Sequence, residues 1–497
     1  MNFQISKNGV WLAMIFLLAL VIRIWHSGTQ NLWYDELLTL RGASLPWRDM
    51  LDFLQTTESS KPPLYYLLVR VFIIFGDTEW WLRLPSILAG AITCIPLYFL
   101  GKEIGGERLG LFSSATLAIL PLHVYYSQEA RMYALWGLTS CLACLFLIRY
   151  LKQTKNLDLF WFGLLSALNC YVFTYGVFLF GVADISALCC YRQIGMRNVL
   201  KLAAVSVLAL IAFLPWLLVI FNNVTHGIGA QTGQQTHGGL LILGYTIYSL
   251  IYGFSLGFSP AQLQQHSITI LREHPFITLF CILAALSAAV AAFACLREKR
   301  HDLFFLKAVA PGLTLLILSP FFASLLSSSV ANNCRYSFAA IPFIALVLGS
   351  VMEKGSAKFS KLAILPCLLF MLYATANGLN NPAYFRDDIR AATNHTGKIL
   401  PHPPAAIICA AHLESVCRYY APEMTFLPLS VSGNQITNDV ANMVDAFASE
   451  HPKFALIYSR PDHGDPTGAL LTFLEKKYRL VEQNKWTGVK VFIFSTK

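Results

Sequence analysis

The sequence predicts a polytopic α-helical membrane protein with a soluble α/β domain at its C-terminus. Three observations predict it. The 497 residues are 56% hydrophobic and only 13% charged, against roughly 25% charged in a soluble domain. Apolar runs of membrane-crossing length alternate with short loops that hold most of the Lys and Arg, the arrangement expected of spans that keep cations inside. Beyond Asn380 the apolar runs shorten into strands alternating with helices, as in a small layered α/β domain. The 35 Phe, 21 Tyr and 10 Trp suit helix ends at a lipid interface. The net charge of +10 is dispersed, with no cationic block to track phosphates, so nucleic acid is excluded as a partner.

Lys7 and the run Val10 to Ile24 have the order of a signal peptide. No small-x-small cleavage site follows, and Arg23-Ile24-Trp25-His26 reads as the end of a retained first span. Pro62 to Gly76 is short, opens on two prolines and carries Arg70, so it is placed along the interface, as is Pro46 to Thr56. Leu84 to Leu100, Leu109 to Tyr126 and Ala134 to Ile148 are spans. Leu159 to Tyr191 holds two more, broken near Thr174 to Gly176, and Leu200 to Phe221 another.

Asn222 to Gly239 has turn composition and is an external loop. Leu240 to Phe258 is read as interfacial, because counting it as a span would put Arg297, Lys299 and Arg300 outside. Phe276 to Leu296, Leu303 to Leu326, Ser337 to Val351 and Leu362 to Ala376 complete about eleven spans. Residues 1–379 then form the membrane domain, with an external loop at 26–82, and 380–497 an external α/β domain. The N-terminus is cytoplasmic on this parity.

In the tail, helices are expected at Tyr384 to Ile399, Ile436 to Ser449 and Gly468 to Lys477, and strands at Ala405 to Cys409, Phe454 to Tyr458 and Val489 to Phe494. Most of the twelve cysteines lie in apolar runs without metal-ligand spacing. Cys409 and Cys417 are the pair placed where a disulfide could form.

On this parity the polar groups converge on one outer face. Asp35 and Glu36 follow the first span, hemmed by Trp33, Tyr34, Leu37 and Leu38, so at least one carboxylate is expected to be partly desolvated, its pKa raised as suits a base. Lys61 precedes Pro62-Pro63, Gln128-Glu129-Ala130-Arg131 follows the third span, and Arg335-Tyr336 follows the ninth. Each also has an ordinary explanation: loop charge for the acids, capping or mutual pairing for Glu129 and Arg131, snorkelling for Lys61 and Arg335. Three cations beside carboxylates nevertheless make a clamp for a phosphate. Asp184, within an apolar run, is a functional suspect of its own. His226, His237 and His266 lack ligand spacing, so no residue is assigned to a metal, and a divalent ion stays open as a cofactor.

Trp33-Tyr34-Asp35-Glu36, Lys61-Pro62-Pro63-Leu64-Tyr65-Tyr66, Leu82-Arg83-Leu84-Pro85-Ser86 and Tyr126-Ser127-Gln128-Glu129-Ala130-Arg131-Met132-Tyr133 occur in this order. The combination resembles the bacterial GT-C glycosyltransferases related to protein O-mannosyltransferases and to the lipid A aminoarabinose transferase. The resemblance implies a GT-C fold and transfer of a sugar from a polyprenyl-phosphate donor to a lipid, glycan or protein acceptor at the outer face of a bacterial inner membrane. It implies that Asp35-Glu36 contains the catalytic base or acceptor-orienting carboxylate. Residue chemistry adds a single in-line displacement with Asp35 as base, Glu36 orienting the acceptor, Lys61, Arg131 and Arg335 on the phosphate, and Glu129 holding Arg131 or touching the sugar, with Tyr65, Gln128 and Tyr336 as further substrate contacts. Many relatives have His-Pro-Pro where this chain has Lys61-Pro62-Pro63, which favours a phosphate contact over a histidine-bound metal. The rival readings are a transporter or flippase, and a receptor-like membrane protein. No internal symmetry supports the former, and the latter leaves the charged constellation without a task.

Overall fold

The computed structural model describes residues 7–58, 61–225, 240–258, 269–299, 302–326, 334–353, 358–431 and 433–496. The chain divides into two compact units. One comprises Met1–Ser27, Thr39–Ser259 and Leu271–Asn380, the other Gly28–Leu38, Pro260–Ile270 and Asn381–Lys497.

The first unit is helical. It begins with α1 (Lys7–Ile24) and, after α2 (Tyr34–Ser44), continues through α3 (Trp47–Thr56), α4 (Leu64–Ile73), α5 (Glu79–Ile92), α6 (Cys94–Gly105), α7 (Glu107–Ile119), α8 (Pro121–Ser127), α9 (Tyr133–Gln153), α10 (Asn156–Val172) and α11 (Phe178–Cys189). Longer helices follow at Met196–Thr225, Pro275–Lys299, Leu303–Leu326 and Lys358–Asn380. Their apolar side chains face outward, including Leu200, Leu208 and Phe221 on the first and Phe276 and Leu283 on the second. Lipid is the solvent that such a surface fits.

Among the described residues eight helices are long and apolar enough to cross a membrane, or nine if the bent pair α7 and α8 is one span. The difference from about eleven lies in Leu159 to Tyr191. There α10 has 17 residues and α11 has 12 after a 3-10 turn at Thr174–Val177. The 17 residues of α10 rise about 25 Å, the short end of the crossing range. The break falls where the sequence placed it. Phe173 turns extended, and Gly176 packs so closely that an added Cβ would lie 2.5 Å from Asn169 Oδ1. The pieces read as interfacial are all short: α3 and α4 have ten residues each, and Leu240–Tyr252 has 13.

The bend of 61° between α7 and α8 explains a buried arginine. Pro121 has no N–H for the Leu117 carbonyl, which at the bend accepts only the long 3-10-type bond from Leu120 N at 3.3 Å. Arg23, fully buried near the end of α1, fills the gap. Its Nη2 donates to Leu117 O at 3.2 Å, its Nη1 to Ala118 O at 3.2 Å and to Ala19 O at 2.9 Å. Nε donates to Ser127 Oγ at 3.2 Å and Nη2 also to His123 Nδ1 at 2.7 Å. All five guanidinium donors are therefore used. Arg23→Leu is expected to cost about 3 kcal/mol or more of stability, because it removes five buried hydrogen bonds and leaves the polar groups at the bend under-satisfied. Thermal unfolding in detergent measures it, and a variant as stable as the wild type would contradict this role.

The second unit carries a five-stranded sheet in the order β2-β1-β3-β5-β4. The strands are β1 (Ala405–Ile408), β2 (Thr425–Pro428), β3 (Lys453–Ser459), β4 (Arg479–Trp486) and β5 (Val489–Ser495). β2, β1 and β3 run parallel, whereas β5 is antiparallel to both β3 and β4. The three expected strands are the buried central ones, and the two unforeseen are the edges. β2 is only four residues long and ends on Pro428, and β4 (RLVEQNKW) is mostly exposed, so neither carries a core alternation. Helices at Ile389–Ile399, Asn438–Glu450 and Ala469–Lys477 match the expected ones within a few residues. Asp388 and Thr437 cap the first two, accepting from Ala391 N and Val440 N. Cys409 and Cys417 are free, buried thiols, and burial pushes both up to about 12.

Candidate active site

In the helical unit the charges centre on the turn between α8 and α9. Arg131, in that turn, is 3% exposed and grips Glu58 with both ends of its guanidinium, Nη2 to Oε2 at 3.0 Å and Nη1 to Oε1 at 3.2 Å. Nη1 also donates to Thr39 Oγ1 at 3.2 Å. The backbone of the turn is fixed as well. Ser86 Oγ donates to the Arg131 carbonyl at 3.0 Å and lies 2.8 Å from the hydroxyl of buried Tyr65. Gln128 caps α1, its amide donating to the carbonyls of Arg23 at 3.1 Å and Trp25 at 2.6 Å.

Burial pushes the Glu58 carboxyl up, but Arg131 and Lys61, with hydrogen bonds from Arg131 and Tyr66, outweigh it and leave it below the usual value. Lys61 is half-buried beside this pair. On the other side of the turn, Tyr133 feels the charges of Arg335, Arg131 and Glu129 together. Arg335 lies over the ring of Tyr336 at 5.2 Å, and Tyr336 stacks on Tyr175 at 4.9 Å. The helical unit thus brings together Lys61, Tyr65, Glu129, Arg131, Arg335 and Tyr336, and spends Gln128 on a helix end.

Asp35 and Glu36 belong to the other unit, and the α/β domain holds them. Asn31 Nδ2 donates to Asp388 Oδ1 at 2.7 Å, Arg390 Nε to Asn31 Oδ1 at 2.9 Å, and Leu32 N to Tyr420 Oη at 2.7 Å. Glu36 is fully buried and paired with Arg386, whose guanidinium also lies 5.9 Å from the Trp33 ring. Its Oε2 accepts from Trp33 N at 3.4 Å, so Glu36 closes the first turn of α2 as the N3 residue of a capping box does. The Arg386 guanidinium is the partner this buried carboxylate meets. Asp35 is half-buried, one position earlier in the same turn, and its charge reaches His412. Tyr34 packs edge-on against His412, ring centres 5.7 Å apart.

The dolichyl-phosphate-mannose-protein mannosyltransferase family model matches residues 60–219. By sequence, no curated protein matches. By structure, the chain is similar to the apo oligosaccharyltransferase of Archaeoglobus fulgidus, with a TM-score of 0.52 and 13% identity over 100% of this chain and 75% of that one. It is similar also to ArnT from Cupriavidus metallidurans in the apo state, with a TM-score of 0.51 and 14% identity over 98% of both chains. The A. fulgidus oligosaccharyltransferase AglB, in complex with an inhibitory peptide and a dolichol-phosphate, gives 0.52 at 11% identity over 97% of this chain and 74% of that one. The chain has the GT-C glycosyltransferase fold.

The family match over this GT-C fold includes Lys61, Tyr65, Gln128, Glu129 and Arg131 and leaves out Asp35, Glu36, Arg335 and Tyr336. Sequence reading of the GT-C chain missed Glu58, Arg386 and His412. Glu58 stands three residues before Lys61 and was available from charge pairing along the motif. Arg386 and His412 lie more than 300 residues from the acidic turn, and nothing local marks them. Asp184 accepts a hydrogen bond from Ser206 Oγ at 3.1 Å. Among the described residues no group of three His, Cys, Asp or Glu is placed to hold a metal ion. His226, His237 and His266 lie outside the described residues.

Proposed function

We propose that this GT-C protein transfers a sugar from a polyprenyl-phosphate donor to a lipid, glycan or protein acceptor at the outer face of a bacterial inner membrane. One observation carries the reading. The segment matched by the mannosyltransferase family contains the turn where Lys61, Arg131 and the Glu58 carboxylate meet. The relatives support a lipid-linked donor, since one oligosaccharyltransferase was solved with a dolichol-phosphate. The N-terminus is cytoplasmic and the α/β domain external in this proposal.

A sugar on a phosphate already has a good leaving group, so the protein supplies a base and cations and no general acid. Asp35 takes the proton of the acceptor hydroxyl or amine. The acceptor's electron pair forms the bond to the anomeric carbon as the carbon–oxygen bond to phosphate breaks, and its pair leaves on the phosphate. One displacement inverts the configuration. Lys61 and Arg335, both half-buried, neutralise the departing phosphate. Arg131, held by Glu58, and Tyr65 keep the turn in shape, and Glu36 holds the acidic turn through Arg386.

Lys61→Gln and Arg335→Gln are each expected to raise KM for the donor about 10- to 100-fold, the loss of a charge-assisted contact of roughly 1.5–3 kcal/mol. KM for the acceptor should stay put. Steady-state kinetics with purified protein and a labelled polyprenyl-phosphate sugar measures both. Unchanged donor KM in the two variants would reject the phosphate clamp, and a product of retained configuration would reject the single displacement.

A further inference from the structure

The far end of α9 lies about 30 Å from Arg131, the rise of its 21 residues. The acids there are engaged by their own neighbours. Glu103 pairs with Arg149 at 3.2 Å and Lys152 at 3.4 Å, and Glu107 with Lys102 at 2.8 Å. Lys155, Arg197 and Lys201 stand at the same end, and among the described residues no ion pair reaches them.

Helix register brings these three cations together. α10 and Met196–Thr225 run parallel, since a Cβ on Gly163 would lie 2.5 Å from Val205 Cγ1 and Tyr171 Oη donates to Ala212 O at 2.9 Å. Eight residues back from Gly163 and Val205 are Lys155 and Arg197, so these two lie at one depth, with Lys201 a turn further in. At about 100° per residue, Lys201, Leu208 and Arg197 turn roughly 40–80° from the Val205 contact. Phe160 and Leu164 turn roughly 60–100° from the Gly163 contact in the opposite sense, and in parallel helices opposite senses face one groove. Phe160, Leu164 and Leu208 are exposed, so the groove is open, with apolar walls and cations at one end. Asp158, the acidic residue in the first turn of α10, turns about 140° from Gly163 the other way and faces away from it.

We infer that this groove seats an anionic phospholipid, its phosphate on Lys155, Arg197 and Lys201 and an acyl chain along Phe160, Leu164 and Leu208. Basic pockets between membrane helices fit such headgroups, and the exposed apolar walls fit a chain that a free phosphate lacks. No acidic residue stands in the first turn of Met196–Thr225, so its positive end has the same sign as the cations. The site is separate from the turn that holds Arg131 and does not depend on what the protein transfers.

The test is equilibrium binding of acyl-labelled fluorescent phosphatidylglycerol and phosphatidylcholine to full-length protein in non-ionic detergent. Each cation near an anionic headgroup contributes about fivefold, so the wild type should prefer phosphatidylglycerol by roughly 100-fold. The triple variant Lys155→Gln, Arg197→Gln, Lys201→Gln should lose that preference, and Lys201→Gln alone about fivefold of it, which covers the case of a triple variant that does not fold. Lys201→Arg should keep it, as should Lys7→Gln with Arg108→Gln, which removes exposed cations elsewhere at this end. Soluble glycerol 3-phosphate should not displace the labelled lipid. Equal affinity of the wild type for the two lipids, or a preference unchanged in folded Lys201→Gln and triple variants, would overturn the inference. Equal loss in the Lys7 and Arg108 control would make the effect one of overall surface charge, and displacement by glycerol 3-phosphate would make it a free-phosphate site. Either result would overturn the lipid groove.

Discussion

Arg131→Met is expected to lower stability by about 3–5 kcal/mol, the usual cost of leaving one partner of a buried ion pair behind. Glu58 and Arg131 are 2% and 3% exposed, so the substitution leaves the carboxylate buried without its guanidinium. Glu58→Gln should cost less, because it leaves no bare charge, and the double replacement Glu58→Leu with Arg131→Met should recover much of the loss. The pair also has a pH signature. The folded-state pKa of Glu58 lies below its ordinary 4.5. Its contribution is therefore complete above about 4.5 and is lost as pH falls toward the lower folded value. Thermal unfolding of wild type, singles and double in detergent at several pH values reads all of this. A single Arg131→Met as stable as the wild type would show that the turn between α8 and α9 does not depend on the pair.

The membrane-crossing helices were legible because lipid imposes one rule, long apolar runs with cations at their ends, and the runs in this chain obey it. The count was less legible in Leu159 to Tyr191, where a single apolar stretch contains a 17-residue helix and a shorter broken one. Hydropathy records apolarity and is blind to a backbone that turns extended at Phe173. In the tail the central strands announced themselves through burial, whereas exposed β4 and short β2 carried no pattern to read.

The candidate site divides in the same way. Glu129, Arg131 and Lys61 were visible as charges next to turn residues. What they are paired with was not, since Arg131 reaches Glu58 across 73 residues and Glu36 reaches Arg386 across 350. The sequence reading gives both Asp35 and Glu36 a place at the acceptor, Asp35 as base and Glu36 as the orienting group. The fold separates them, burying Glu36 in an ion pair and a helix cap and leaving Asp35 half-buried beside His412.

That separation makes Asp35 the residue on which the account turns. Asp35→Asn keeps the shape of the side chain and removes its charge and its basicity, and in protein of verified fold it should lose transfer roughly 10²- to 10⁴-fold, the span of general-base catalysis. Glu36→Gln should be hurt chiefly in stability, through Arg386. The decisive measurement is sugar transfer from a radiolabelled pool of polyprenyl-phosphate sugars to membrane extracts, by purified wild type and by Asp35→Asn of verified fold. Transfer by the wild type, with loss in the variant on that scale, is the predicted result. Transfer undiminished in Asp35→Asn would move the base elsewhere, and no transfer from any donor by intact wild type would contradict the enzyme reading and direct the work to transport.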